Sequence, residues 1–125
     1  MIDPDKTPSD SLVITVRDEP GGRIVSIRGD AGLGSEAALA SALDAAVASG
    51  AKLVVTDLSE ATFVDSMVLA TLLRCSKLLR SDERRLAVVC PEPSVARLFE
   101  LTLLDQTFAV VSSLDDVLDP PSGGP

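Results

Sequence analysis

One stretch limits what this chain can fold into more than any other: Leu53–Leu73, LVVTDLSEATFVDSMVLATLL. Its opening residues Leu53, Val54, Val55 and Thr56 are branched and largely apolar, a composition that suits a strand covered on both faces. Asp57-Leu58-Ser59 and a short polar link follow, leading to Phe63-Val64 and then Asp65-Ser66. Beyond Ser66 the spacing of Val68, Leu69, Leu72, Leu73 and Leu79 changes to a helical period, predicting a helix over Ser66–Arg80. A buried strand feeding a helix whose first turn is exposed leaves free N–H groups and a positive dipole end at one spot. Asp65–Leu69 is therefore the first candidate for function.

Composition narrows the alternatives. The 125 residues are 46% apolar and 24% charged, which fits one globular domain with a real core. With three Phe and no Trp or Tyr, that core has to be aliphatic. A net charge of −8 argues against direct nucleic-acid binding and against an anionic membrane surface, both of which favour a cationic face. No window is long and apolar enough for membrane insertion, and MIDPDKTPSD does not read as a signal peptide, so a cytoplasmic protein is expected. The chain has no histidine, which removes Ser-His-Asp and Cys-His catalysis and most zinc sites. Cys75 and Cys90 fall within a predicted helix and strand and read as buried free thiols. No metal, cofactor or catalytic residue is expected, and the chain reads as a non-enzyme.

In order, residues 1–11 form a polar lead, residues 12–118 the domain, and residues 119–125 a tail with no core signal. Leu12–Arg17 and Arg23–Arg28 read as a hairpin around the turn cluster Asp18–Gly22. Gly29-Asp30-Ala31-Gly32-Leu33-Gly34 is a loop whose glycines do not follow the G-x-G-x-x-G dinucleotide order, so it reads as a strand-to-helix connection. Ser35 is the expected cap of a first helix carrying Leu39, Ala42, Leu43, Ala46 and Val47 on one stripe, closed by Gly50. Lys52–Leu58 is the central strand and Arg85–Cys90 the next one. Ser94 is expected to cap a third helix carrying Val95, Leu98, Phe99 and Leu101. Thr107–Val111 gives a last strand, and Leu114–Leu118 a short terminal helix. The order β-β-α-β-α-β-α-β-α predicts an α/β domain: a mixed, mostly parallel sheet of four to five strands with about four helices. The Gly29–Gly34 loop and Phe63–Ser66 both fall at the carboxyl ends of strands, where binding sites gather in such sheets.

These residues also carry a family resemblance. Val55-Thr56-Asp57-Leu58-Ser59 followed by Phe63-Val64-Asp65-Ser66-Met67-Val68-Leu69 resembles the signature of STAS domains, the module of bacterial anti-sigma factor antagonists and of sulfate-transporter tails. The Gly29 loop, Ala87-Val88-Val89, Pro91-Glu92-Pro93, Val95–Phe99 and Phe108 extend the likeness over most of the chain. The resemblance implies a STAS-like fold and a protein–protein interaction module that binds an anti-sigma factor of the kinase-like type, releases a sigma factor and so regulates transcription. It implies partner-binding residues Asp30, Gly32, Asp65, Ser66, Met67, Val68 and Leu69, and allows a homodimer. In the family's regulated members a phosphorylated Ser or Thr followed by Gly stands where this chain has Met67-Val68. The family's Asp after the hairpin is replaced by Gly32. Ser66 is then the candidate modification site. An alternative within the family is a subunit or regulator of a membrane transport assembly.

Two rivals outside the family fit less well. A serine hydrolase would also place Ser66 at a strand-turn-helix elbow, but the flanking glycines and the histidine are missing. A phospho-receiver domain has a similar length and an acid ending a central strand, as Asp57 does. It needs an acidic pair after the first strand, and here Asp18-Glu19 sits in the hairpin turn.

Overall fold

A computed structural model describes residues 13–20, 22–31, 36–102 and 107–114. The chain runs β1 (Val13–Glu19), β2 (Gly22–Ala31), α1 (Glu36–Ala48), β3 (Leu53–Val64), α2 (Ser66–Arg80), β4 (Arg85–Val89), α3 (Pro93–Leu101) and β5 (Ala109–Val111). The five strands form one sheet in the order β1-β2-β3-β4-β5. Only β1 is antiparallel to its neighbour. Three successive crossovers step in the same direction across the sheet, and right-handed connections then put all three helices on one face.

The core follows from that arrangement. Alternate strand residues Val25, Ile27, Val54, Leu58, Leu86 and Val88 pack with Leu39, Leu43, Leu72, Leu79 and Phe99 from the helices. The intervening residues Ile24, Val55, Ala87 and Val89 form a smaller cluster on the other face, covered in part by Leu53, Val111 and Leu114. The central strands are thus buried on both sides, as the apolar run at Leu53 required. Phe99 and Phe108 meet edge to face at 6.0 Å, one of few aromatic contacts such a composition allows.

The α1 stripe holds: Leu39, Leu43 and Ala46 are buried, and Gly50 at φ 85° turns the chain out of the helix. Arg84 ties this end down by donating to the carbonyls of Val47 and Ala51 at 2.6 and 2.7 Å.

Several expectations change. The polar link after Leu58 is strand: β3 continues to Val64 because β2 is long enough to pair with it, through Arg28↔Glu60, Gly29↔Ala61, Asp30↔Phe63 and Ala31↔Val64. Two register shifts accommodate this pairing, and Gly29 at φ 95° sits beside the second. Asp18, Glu19 and Gly22, expected in the hairpin turn, belong to the ladder, through Asp18↔Arg23 and Glu19↔Gly22. Glu92, not Ser94, caps α3: Pro93 fits the first helical position, which moves the cap two residues upstream, and Ser94 donates to the Glu92 carboxylate. Leu101 ends α3 exposed rather than in the core. The described residues contain three helices, not four. The expected Ser35 cap, residues 115–118 of the expected terminal helix, the lead at 1–11 and the tail at 119–125 lie outside the described residues.

Candidate functional site

β3 ends at Val64, and Asp65 converts the strand into a helix. Its backbone is extended (φ −106°, ψ −179°), and its Oδ1 accepts the N–H groups of Met67 and Val68 at 3.0 and 3.1 Å. Asp65 is therefore the N-cap, a carboxylate at the positive end of the helix dipole. Ser66 is the first helical residue and is exposed. The helical period then separates the next three residues. Met67 points outward and is 53% exposed, whereas Val68 and Leu69 are buried in the main core. Expected as partner-binding residues, Val68 and Leu69 offer no side chain to a partner. They shape the site from beneath.

The sheet brings the second expected region alongside. The ladder sets Asp30 beside Phe63 and Ala31 beside Val64, so the end of β2 adjoins the start of α2. Gly32 lies outside the described residues. Asp57, in the same signature, is engaged locally: its Oδ1 accepts the Ser59 N–H at 2.9 Å and the Ser59 hydroxyl. That carboxylate organises the strand.

The start of α2 is therefore a small exposed platform made of Ser66 and Met67, with Asp65 as its fixed base. It holds no nucleophile–base pair. Among the described residues no cluster of three or more Cys, Asp or Glu could hold a metal, and no helix is long and apolar enough to cross a membrane. Both thiols are free and buried, and burial pushes each above its ordinary value.

Reading the sequence missed one part of the surface. Leu78 is 47% exposed, on the same outward face of α2 as Met67. Its offset from the Leu72/Leu79 stripe was the available signal.

Comparison with known proteins finds relatives over most of the chain. The model of the STAS domain family matches residues 12–117. Over 115 residues the chain is 34% identical to the anti-sigma-F factor antagonist RsfB of Mycobacterium tuberculosis, covering 92% of this chain and 93% of that protein. A solved anti-sigma factor antagonist from Mycobacterium paratuberculosis superposes with a TM-score of 0.82 at 35% identity, over 87% of this chain and 92% of the other. The unphosphorylated form of the antagonist SpoIIAA shares the fold, with a TM-score of 0.73 at 15% identity, over 89% of this chain and 97% of the other.

Proposed function

Because this chain belongs to the STAS domain family, we propose that it is an anti-sigma factor antagonist: it binds an anti-sigma factor and so releases a sigma factor for transcription. The observation that carries this reading is the exposed Met67 at the first turn of α2, seated on the fixed Asp65 cap. An apolar, conformationally adaptable side chain on an otherwise polar platform suits a docking surface. The family-wide likeness, over nearly the whole length of a named antagonist, supports the same reading.

The protein acts in the cytoplasm as a binding module without catalysis. Its partner is an anti-sigma factor of the kinase-like type, and Asp30, Gly32, Asp65, Ser66 and Met67 form the contact region. Docking competes with the sigma factor for the anti-sigma factor. Met67 has no hydroxyl, so the usual phosphate-accepting position is closed and the module is permanently competent to bind. A phosphate on Ser66 would meet a helix N-terminus that tolerates it electrostatically, and it would act by adding about −1.5 to −2 charge to the docking surface rather than by unfolding the domain.

The experiment is a release assay. Each anti-sigma factor of the source organism is produced with its sigma factor bound, and the chain is added. Liberation of a sigma factor by stoichiometric amounts is the expected result. No release from any complex overturns the reading. Incubation with the same anti-sigma factor and ATP should leave the chain's intact mass unchanged. A phosphate gained on Ser66 would overturn the permanently competent part.

A further inference from the structure

The outward face of α2 does not end at Met67. At 100° per residue, Met67, Ala70, Arg74, Lys77, Leu78 and Ser81 fall on one side of the helix, opposite the buried Val68, Leu72, Cys75 and Leu79. From Ala70 to Ser81 this face lines a shallow groove of about 510 Å³ with apolar walls from Ala70, Leu73 and Leu78. Leu78 is 47% exposed at one end of it, roughly 16 Å along the axis from Met67.

The charge of this face is opposite to that of the molecule. The chain carries a net −8, yet α2, SMVLATLLRCSKLLR, contains no acidic residue. Arg74 is held at the groove by Asp44 of α1 at 2.9 Å, while Lys77 makes no ion pair among the described residues. An exposed leucine beside a free ammonium group is a surface with both an apolar and an electrostatic preference.

We propose that the groove along the C-terminal half of α2 is a second docking element for the same anti-sigma partner. Its occupant is an acidic amphipathic segment whose apolar side chain seats on Leu73 and Leu78 and whose carboxylates face Lys77, next to the Asp44-paired Arg74. Charge complementarity selects this occupant. The inference rests on the antagonist reading and adds to it what the partner must present: two separated contacts, the Met67 platform and an acidic apolar ridge about three helical turns away.

The test uses the anti-sigma factor whose sigma factor the full-length wild-type chain releases. Its affinity is measured by calorimetry for wild type, Leu78→Asp, Lys77→Glu, Met67→Asp and the off-groove control Lys52→Glu, with circular dichroism confirming that each is folded. Leu78→Asp and Lys77→Glu are each expected to weaken binding about tenfold, while Lys52→Glu stays close to wild type. Raising the salt from about 0.05 to about 0.5 M should weaken wild type more than Lys77→Glu. If Met67→Asp loses binding and both groove variants keep wild-type affinity, the groove is not a docking element and the antagonist reading stands. Self-association, or binding to phosphatidylserine vesicles, that Leu78→Asp abolishes while partner affinity is unchanged would also overturn the proposal. Failure of the antagonist reading itself is distinct, because wild type would then release no sigma factor.

Discussion

The Oδ1 atom of Asp65 accepts the backbone N–H of Met67 at 3.0 Å, so the residue that caps α2 also fixes the exposed apolar residue of its first turn. The same oxygen takes the Val68 N–H at 3.1 Å, and the Asp65 carbonyl accepts from Val68 and Leu69. One acidic residue thereby anchors the docking platform and the two core residues beneath it.

Replacing that anchor separates stability from binding. Asp65→Ala removes the cap and is expected to cost about 1 kcal/mol of stability, lowering the melting temperature by roughly 4 °C. Asp65→Asn keeps a capping oxygen and should recover most of the loss in a thermal melt followed by circular dichroism. An unchanged melting temperature for Asp65→Ala would contradict the capping role.

Two buried hydroxyls run against ordinary packing. Thr56 on β3 and Ser76 on α2 are fully buried, and neither side-chain oxygen has a hydrogen-bond partner among the described residues. Removing an unsatisfied buried polar group in favour of an apolar one of similar shape is favourable, so Thr56→Val and Ser76→Ala should each stabilise the domain by about 1 kcal/mol in urea unfolding. Destabilisation by either would mean that the hydroxyl has a role these contacts do not reveal.

The thiols give a pH signature. Burial raises the pKa of both Cys75 and Cys90 in the folded state. A raised folded pKa means the contribution to stability is fully present below the unfolded thiol's pKa and is lost as pH rises through the folded one. Stability measured by denaturant titration should therefore fall on the alkaline side of the ordinary thiol range. At neutral pH both thiols should resist a thiol-specific reagent until the chain is unfolded. Rapid labelling of the native protein would contradict their burial.

Much of this was readable in the residues themselves. The period of Leu39, Leu43 and Ala46 placed α1 on the sheet, and the change of period after Asp65 gave α2 its limits. What stayed hidden depended on partners far along the chain. Ser59–Thr62 has the polarity of a loop, and only pairing with the distant end of β2 makes it strand. The cap of α3 moved to Glu92 because Pro93 occupies the first helical position. At the site, the contiguous run from Ser66 to Leu69 suggested one surface, but helical geometry turns Val68 and Leu69 inward and leaves Ser66 and Met67 outside. Leu78 stood off the apolar stripe in the sequence, and its angular position, close to that of Met67, is what puts it on the outward face.

The central claim is that the exposed Met67 is a docking contact, and one titration tests it most directly. Calorimetry of the anti-sigma factor into wild type and into Met67→Asp compares the same folded surface with and without an apolar first turn. The account predicts that Met67→Asp folds as wild type does and loses affinity by about a hundredfold, as expected for a central contact of an interface. Wild-type affinity for a folded Met67→Asp protein would contradict it.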